Sequence, residues 1–524
     1  MGFKLDIEVP VNGRVRQATI TALGEDGKVA FTDKADLVSM KERKKLAQRL
    51  ADRLHADPGA VEEKLDAAWA AQVERRREAE VAEAGHAPAA HPPAQRPAAQ
   101  PDVQLSELGN ARRLVAAFGH NFRHCFPWNK DLVYDGRRWC EDDTAQAERW
   151  GKAVVRLIYA EAASEADDER RKAIVSHALR SEQAKVIRAT VALARSEPGV
   201  PVTPSNLDTD PWLLNVRNGT LDLRTGQLLD ARRADLITKL CAANYDPEAT
   251  CPLFMRFLGM IFSGDAALIR YVQKLFGYAL TGDTREQILT VFWGSGANGK
   301  STLINLMLDL LGEDYAIKAS RDLFMARKAD SHPAQLARLF GKRLVVAVET
   351  ADGERLDEAL VKELTGGDPI TARRMREDPW QFTPTHKAVL VTNHRPEIKG
   401  TDHAIWRRIR LVPFKVRIPD AEQDKDLLAK LRQELPGILA WCVAGCSMWQ
   451  EEGLEPPEEV RAATEGYRAE QDVLGEFLAQ CCDRQGELKV RASQLFSAYR
   501  SWCDRAAEHA VSQRRFGEAM TERG

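Results

Sequence analysis

Cysteine is sparse and arranged in no order that chemistry would use. The nine are Cys125, Cys140, Cys241, Cys251, Cys442, Cys446, Cys481, Cys482 and Cys503. Their number is odd, and no Cys-x-x-Cys pair or matching histidine run accompanies them. Neither a disulfide framework nor a zinc site is indicated, and buried free thiols are expected. Long apolar runs are lacking too. Nothing approaches the roughly 18 residues that would cross a bilayer, and Met1-Gly2-Phe3-Lys4 opens no signal peptide, so no membrane partner and a cytoplasmic location are expected. An excess of charge of one sign is also missing: 75 Lys and Arg stand against 77 acids, a net charge of −2. A uniformly basic nucleic-acid coat is excluded, and any DNA-contacting surface must be a local patch. What remains is an ordinary balance, 44% hydrophobic and 29% charged, over 524 residues. At roughly 150 residues per domain that length holds three or four domains.

The clearest boundary is Ala84 to Pro101, where proline and alanine dominate and no apolar period survives, a semi-extended linker. Before it, residues 1–83 read as a small α+β module. Phe3, Leu5, Ile7 and Val9 alternate as in a half-buried strand, Asn12-Gly13 marks a hairpin turn, and Val15 to Ala22 and Lys28 to Thr32 suggest further strands. Helices follow over Lys41 to His55 and from Asp57-Pro58. The run Glu74-Arg75-Arg76-Arg77-Glu78 reads as a solvated helix face. Residues 102–246 are mixed: a helix over Ala111 to Phe118, a hairpin over Leu132 to Trp139, a long helical run over Thr144 to Ser196, and strands with Asn218-Gly219 and Thr225-Gly226 turns. Residues 247–417 alternate apolar strands with helices, the pattern of an α/β sheet. Residues 418–524 are helical.

The strongest chemical signal is Gly294-Ser295-Gly296-Ala297-Asn298-Gly299-Lys300-Ser301-Thr302. It follows the strand Ile288 to Trp293 and opens a helix over Leu303 to Leu311, the context a P-loop requires. The glycines let backbone N–H groups turn inward around a phosphate at a positive helix end. Lys300 is placed to reach the β- and γ-phosphates of ATP or another NTP, and Ser301 to offer its hydroxyl to Mg²⁺. A second apolar run, Arg343 to Val348, ends in Glu349, as a Walker B strand should; this acid would polarise the attacking water and help hold Mg²⁺. Asp352 and Glu354 are weaker helpers. A third strand, Ala388 to Thr392, ends in Asn393, a polar amide suited to touch the γ-phosphate. Arg407, Arg408 and Arg410 then crowd one segment, where an arginine can act on a neighbouring subunit's phosphate.

Taken together, Gly294 to Thr302, Glu349, Lys362 to Arg374, Thr392-Asn393-His394 and Trp406-Arg407-Arg408 resemble the motifs of superfamily 3 helicases. Within these, the chain looks like the phage and plasmid primase-helicase group, which includes relatives of the poxvirus primase-helicase. The likeness extends upstream through Trp212 to Leu223 and downstream to Tyr467, Asp472, Tyr499 and Trp502-Cys503, covering roughly four-fifths of the chain. It implies an AAA+ P-loop ATPase core that works as a hexameric ring, hydrolyses NTP between subunits and moves 3′ to 5′ along single-stranded DNA. It also makes residues 365–387 the DNA-gripping element. From the residues themselves, Ile370 to Met375 and Trp380 to Thr385 can pair as a hairpin, giving Arg373, Arg374 and Arg376 phosphate contacts, with Lys387 as a further candidate.

Val473 to Cys482, Ala492 to Ala506 and Ser512 to Met520 suggest three helices of a winged-helix module, and the chain ends at Gly524 ahead of any wing. Residues 1–101 hold no zinc-knuckle spacing and no carboxylate pair beside strands, so a separate primase or polymerase is expected as partner. Two rivals answer to the same residues. An ATP-dependent origin-binding initiator or scaffold would use the arginine hairpin and terminal helices without processive unwinding. A small-molecule P-loop kinase would be a monomer and leave Asn393 and Arg407-Arg408 without use.

Overall fold

A computed structural model describes residues 4–8, 18–23, 29–35, 46–52, 61, 104–326, 333–348, 353–373, 379–399, 403–483, 489–506 and 508–523. The chain divides into two compact units, residues 1–101 and 102–524. In the first, β1 (Lys4–Glu8), β2 (Ala18–Leu23) and β3 (Val29–Ala35) form an antiparallel sheet in that order, with Ile7 opposite Ile20. The expected linker and the basic run at Glu74 to Glu78 lie outside the described residues.

The second unit opens on helix α1 (Glu107–Phe118), whose Ser106 hydroxyl accepts the Gly109 N–H at 3.1 Å. Strands β4 (Phe122–Cys125), β5 (Lys130–Tyr134), β6 (Trp139–Glu141) and the later β7 (Pro201–Val202) form one small sheet. The alanine-rich run between β6 and β7 is three helices: α2 (Gln146–Ser164), α3 (Asp168–Ser181) and α4 (Ala184–Ala194). They pack with α1 around Leu114, Val154, Ile158, Ile174 and Val191. A meander of β8 (Leu213–Val216), β9 (Gly219–Asp222) and β10 (Gln227–Leu229) follows.

Helices α5 (Pro252–Ile261) and α6 (Ala266–Leu280) lead into the central sheet. Its strands are β11 (Leu289–Trp293), β12 (Ala316–Lys318), β13 (Leu344–Val348), β16 (Lys387–Thr392) and β17 (Ile409–Pro413), all parallel and ordered β12-β13-β16-β11-β17. The short hairpin of β14 (Ile370–Ala372) and β15 (Trp380–Phe382) stands between β13 and β16 in the chain. Along each central strand, side chains alternate between two cores, as a period of two requires. Phe292, Val346, Val389, Val391 and Val412 face one; Val291, Val345, Ala347, Leu390 and Leu411 face the other. Both faces are therefore covered, which is why these runs are almost continuously apolar.

Helix α7 (Lys300–Tyr315) and α9 (Leu435–Glu452), together with α5 and α6, cover the first face, and α8 (Glu358–Gly366) covers the second. Helix α9 lies so close to α6 that a Cβ on Gly277 would collide with the backbone of Gly445 and Cys446. The first core runs without a break from Leu214 in β8 to Val460 in α10 (Glu458–Glu470). Residues on both sides of positions 246 and 417, such as Tyr245 and Cys251 or Phe414 and Leu431, thus share one hydrophobic core. Beyond α10, α11 (Val473–Cys481), α12 (Ala492–Ala506) and α13 (Gln513–Glu522) close around Phe477, Tyr499, Trp502 and Phe516.

Candidate functional site

Strand β11 ends at Trp293, and residues 294–299 turn the chain into α7. Two glycines are required there. A Cβ on Gly294 would collide with the Phe414 carbonyl and the Asn298 amide, and a Cβ on Gly299 would collide with the Ile261 side chain. Gly299 also sits at φ +82° as the cap of α7, a conformation that side chains resist. No side chain caps that helix end, so its first N–H groups and their positive dipole are left for an anion.

Lys300 is only 4% exposed, and its ammonium folds back over the loop. It donates to Gly294 O at 2.7 Å, to Asn298 Oδ1 at 3.0 Å and to Asn393 Oδ1 at 3.1 Å. All three acceptors are neutral. Burial without a counter-charge pushes its pKa down to about 8. Around it lies a cleft of about 230 Å³ walled by Gly296 to Thr302, Val348 and Val391 to Asn393. These are the carboxyl ends of β11, β13 and β16, the usual position for a ligand crevice in an open parallel sheet.

The central sheet brings together a core set of the residues singled out from sequence. Lys300, Ser301, Thr302 and Asn393 share the cleft, although Lys300 and Asn393 are 93 positions apart. Val348 lines it as the last residue of β13; Glu349, which follows, lies outside the described residues. Arg407 is exposed just before β17 and donates to Gln287 Oε1 at 3.3 Å. Arg408 is only 8% exposed and donates to Ala404 O at 2.7 Å. Arg410 bonds the carbonyls of Arg407 and Ile409 at 2.9 and 3.0 Å.

The hairpin forms, with Ile370 opposite Phe382 and Ala372 opposite Trp380. Arg373 is exposed beyond β14, whereas Arg374 and Arg376 lie outside the described residues. Lys387 must be withdrawn from the DNA-contacting set. It is 4% exposed at the start of β16, with its ammonium bonded to Thr281 O, to Asp283 O at 3.0 Å and to Thr385 O at 3.2 Å. The Tyr278 ring stacks 4.6 Å from it. Burial holds its pKa well below the usual lysine range. Its hydrogen bonds tie the turn after α6 to the start of β16, and an isolated Lys at the start of an apolar strand carries no sign of that in sequence.

Two features escaped the sequence. A second cavity of about 440 Å³ shares Ala297, Gly299 and Thr302 with the first, and is walled by Leu253, Phe257 and Met260 of α5 and by Ile418 and Leu427. Trp293, the last residue of β11, reaches across to the loop after β16 and donates its indole N–H to Asn393 O at 3.1 Å. The first depends on how α5 and residues 418–427 meet at the glycine loop, the second on β11 lying beside β16.

A mixed α/β chain with a parallel sheet, bearing an anion-ready cleft at its strand ends, is the class that fold and site define. The family described as "D5 N terminal like" matches residues 111–263, and the "Family of unknown function (DUF5906)" matches residues 292–408. The chain is 29% identical over 323 residues to "Putative helicase L207/L206" of Acanthamoeba polyphaga mimivirus, covering 57% of this chain and 33% of that protein. It is 26% identical over 324 residues to "Putative primase C962R" of African swine fever virus, covering 56% and 34%. The apo structure of the NrS-1 C-terminal region aligns at 13% identity and a TM-score of 0.45, covering 71% of this chain and 80% of that one. The chain thus carries a D5 N-terminal-like region followed by a DUF5906 region, is homologous to these viral proteins, and is similar to the phage and viral primase-helicase family. It spans about a third of the length of the curated relatives it matches.

Proposed function

We propose that this chain is an NTP-dependent replicative DNA helicase of a phage, plasmid or integrated element, built on an AAA+ P-loop core and acting as a homo-oligomeric, hexameric ring on single-stranded DNA. The observation that carries the reading is the meeting of Lys300 and Asn393 in one cleft. Homology to proteins named as viral helicases and primases supports a replication role.

ATP or another NTP would lie with its phosphates over residues 294–302 and its nucleoside in the adjoining cavity, whose apolar wall is joined by Arg256, Glu422, Gln423 and Asp424. Lys300 neutralises the β- and γ-phosphates, and Asn393 faces the γ-phosphate from the end of β16. The donor set suits Mg²⁺, since Ser301 offers an exposed hydroxyl in the first turn of α7 and lines the same cleft. Ser301 with Glu349 would hold that ion, which supplies charge neutralisation between the phosphates. Phosphoryl transfer asks mainly for positioning and charge stabilisation, and these residues provide both.

Arg407 precedes β17 at the end of the sheet opposite the glycine loop. With five strand residues between at roughly 3.3 Å each, its backbone is at least about 17 Å from its own glycine loop, a distance that suits action on a neighbour. The exposed Arg373 beside the hairpin tip, repeated around a ring, would give a near-neutral chain a local basic track for DNA.

The test is strand displacement on a duplex with a 3′ single-stranded tail, with NTP and Mg²⁺. Wild type should unwind it, and Lys300→Ala should lose both unwinding and DNA-stimulated hydrolysis. Hydrolysis stimulated by DNA with no displacement would favour an origin-remodelling scaffold, and normal turnover by Lys300→Ala would sink the site.

A further inference from the structure

The loop that carries Asn393 is held in a way the nucleotide reading does not use. On one side, Trp293 donates its indole N–H to Asn393 O at 3.1 Å. Arg395, two residues on, lays its guanidinium over the Trp293 ring at 4.7 Å and over the Tyr467 ring at 5.5 Å. Its Nη2 pairs with Glu470 Oε2 at 2.6 Å, and Glu470 is the last residue of α10. The same helix holds the loop further along, where the Tyr467 hydroxyl donates to Pro396 O. Just past it, Gln471 Oε1 accepts the Ile398 N–H at 2.9 Å.

Four irregular residues after a strand would ordinarily sample several conformations, and fixing each costs conformational entropy. Here the indole is the central piece. It terminates the strand that enters the glycine loop, bonds the residue that faces Lys300, and serves as the platform for a cation anchored from outside the sheet. Phe would supply the platform without the N–H. Arg395 is a poor choice for a mere surface pair, because its partner Glu470 is half exposed and such pairs contribute little alone.

We infer that Trp293 and Arg395 are positioning residues: they fix the Asn393 amide at the distance from Lys300 that the γ-phosphate and attacking water require. Glu470 sets Arg395 in place. The inference rests on the proposed role of Asn393 in NTP hydrolysis. It predicts a signature on turnover rather than on nucleotide affinity, since the phosphates are gripped by the glycine loop and Lys300, which these residues leave intact.

The experiment measures steady-state, DNA-stimulated hydrolysis and equilibrium binding of a fluorescent ATP analogue by the full chain. Trp293→Phe and Arg395→Ala should each lower kcat about tenfold or more, with Kd within about twofold. Arg395→Lys should recover part of the loss, and the double variant should fall no further than the worse single one. Unchanged kcat in both single variants, a parallel loss of affinity, or additive losses would overturn the inference. A second measurement needs no active variant. The difference between wild-type and Trp293→Phe emission spectra isolates Trp293, and a non-hydrolysable triphosphate should perturb that component while a diphosphate leaves it unmoved. An identical response to both would count against it. Wild type that neither binds nor hydrolyses NTP refutes the underlying function instead, so the two failures are distinguishable.

Discussion

In the free protein the Lys300 ammonium is buried among neutral acceptors, and its pKa stands at about 8. A bound triphosphate supplies the missing counter-charge and should return that pKa to the ordinary lysine range or above. Nucleotide binding then takes up a proton whenever the free lysine is neutral. With a pKa of about 8, Lys300 is about nine-tenths protonated at pH 7 and about one-tenth at pH 9, so affinity should fall about tenfold between them. Affinity is complete below pH 8 and is lost as pH rises through that value. Stability of the free protein moves the other way. The folded pKa lies below the unfolded one, the unfolded chain holds the proton more tightly above pH 8, and folding gains stability as pH rises from 8 towards 10.5. The assay is calorimetric titration with a non-hydrolysable ATP analogue and Mg²⁺ from pH 7 to 9. At pH 8, two buffers of different ionisation heat should report about half a proton taken up per nucleotide. Constant affinity across that range with no proton uptake would falsify this account of Lys300, and the Lys300→Met chain should show whatever pH dependence the nucleotide has by itself.

Lys387→Ala should lower stability by about 2–4 kcal/mol in denaturant unfolding, because the Thr281, Asp283 and Thr385 carbonyls lose their donor and a cavity opens under Tyr278; an unchanged midpoint would contradict the buried role. Arg373→Ala should weaken single-stranded DNA binding and reduce the slope of log affinity against log salt by about 0.7, while nucleotide binding is unaffected; an unaltered slope would remove Arg373 from the DNA surface. Arg407→Ala should bind NTP normally yet lose turnover, and mixed rings should recover activity at the variant's own site when a wild-type neighbour supplies the arginine; loss without rescue in any mixture would argue against action between subunits. Gly299→Ala should cost a few kcal/mol and nucleotide binding together, as its Cβ meets Ile261 at a positive φ; a stable chain with normal binding would show that the loop relaxes freely.

Much of the second unit was legible because its periods are strong. The runs Leu289 to Trp293, Leu344 to Val348 and Lys387 to Thr392 are apolar on both faces, and such runs bounded by glycine and polar residues read as central strands. The hairpin pairing of 370–375 with 380–385 and the three terminal helices were readable as well, although the hairpin's register was not. Less legible was the packing: Leu214, Phe254, Leu439 and Val460 share one core, and no local pattern reports which distant apolar faces meet in it. Lys387 was misplaced for a related reason: in sequence a lysine beside an arginine-rich hairpin looks solvent-facing, and only the carbonyls brought by the turn after α6 make its burial tolerable.

By itself, the sequence determined the local conformations: the glycine loop, the apolar strands beside it and the helix it opens, since each depends on backbone freedom and hydrophobic period over a few neighbours. The tertiary structure decided which residues meet. Strand order places β11 between β16 and β17, so Lys300 faces Asn393 across 93 positions, Trp293 bonds the Asn393 carbonyl, Arg408 is buried and Arg407 exposed. Those outcomes follow from which strands are neighbours in a sheet buried on both faces, a property of the whole chain's packing that no window of sequence contains.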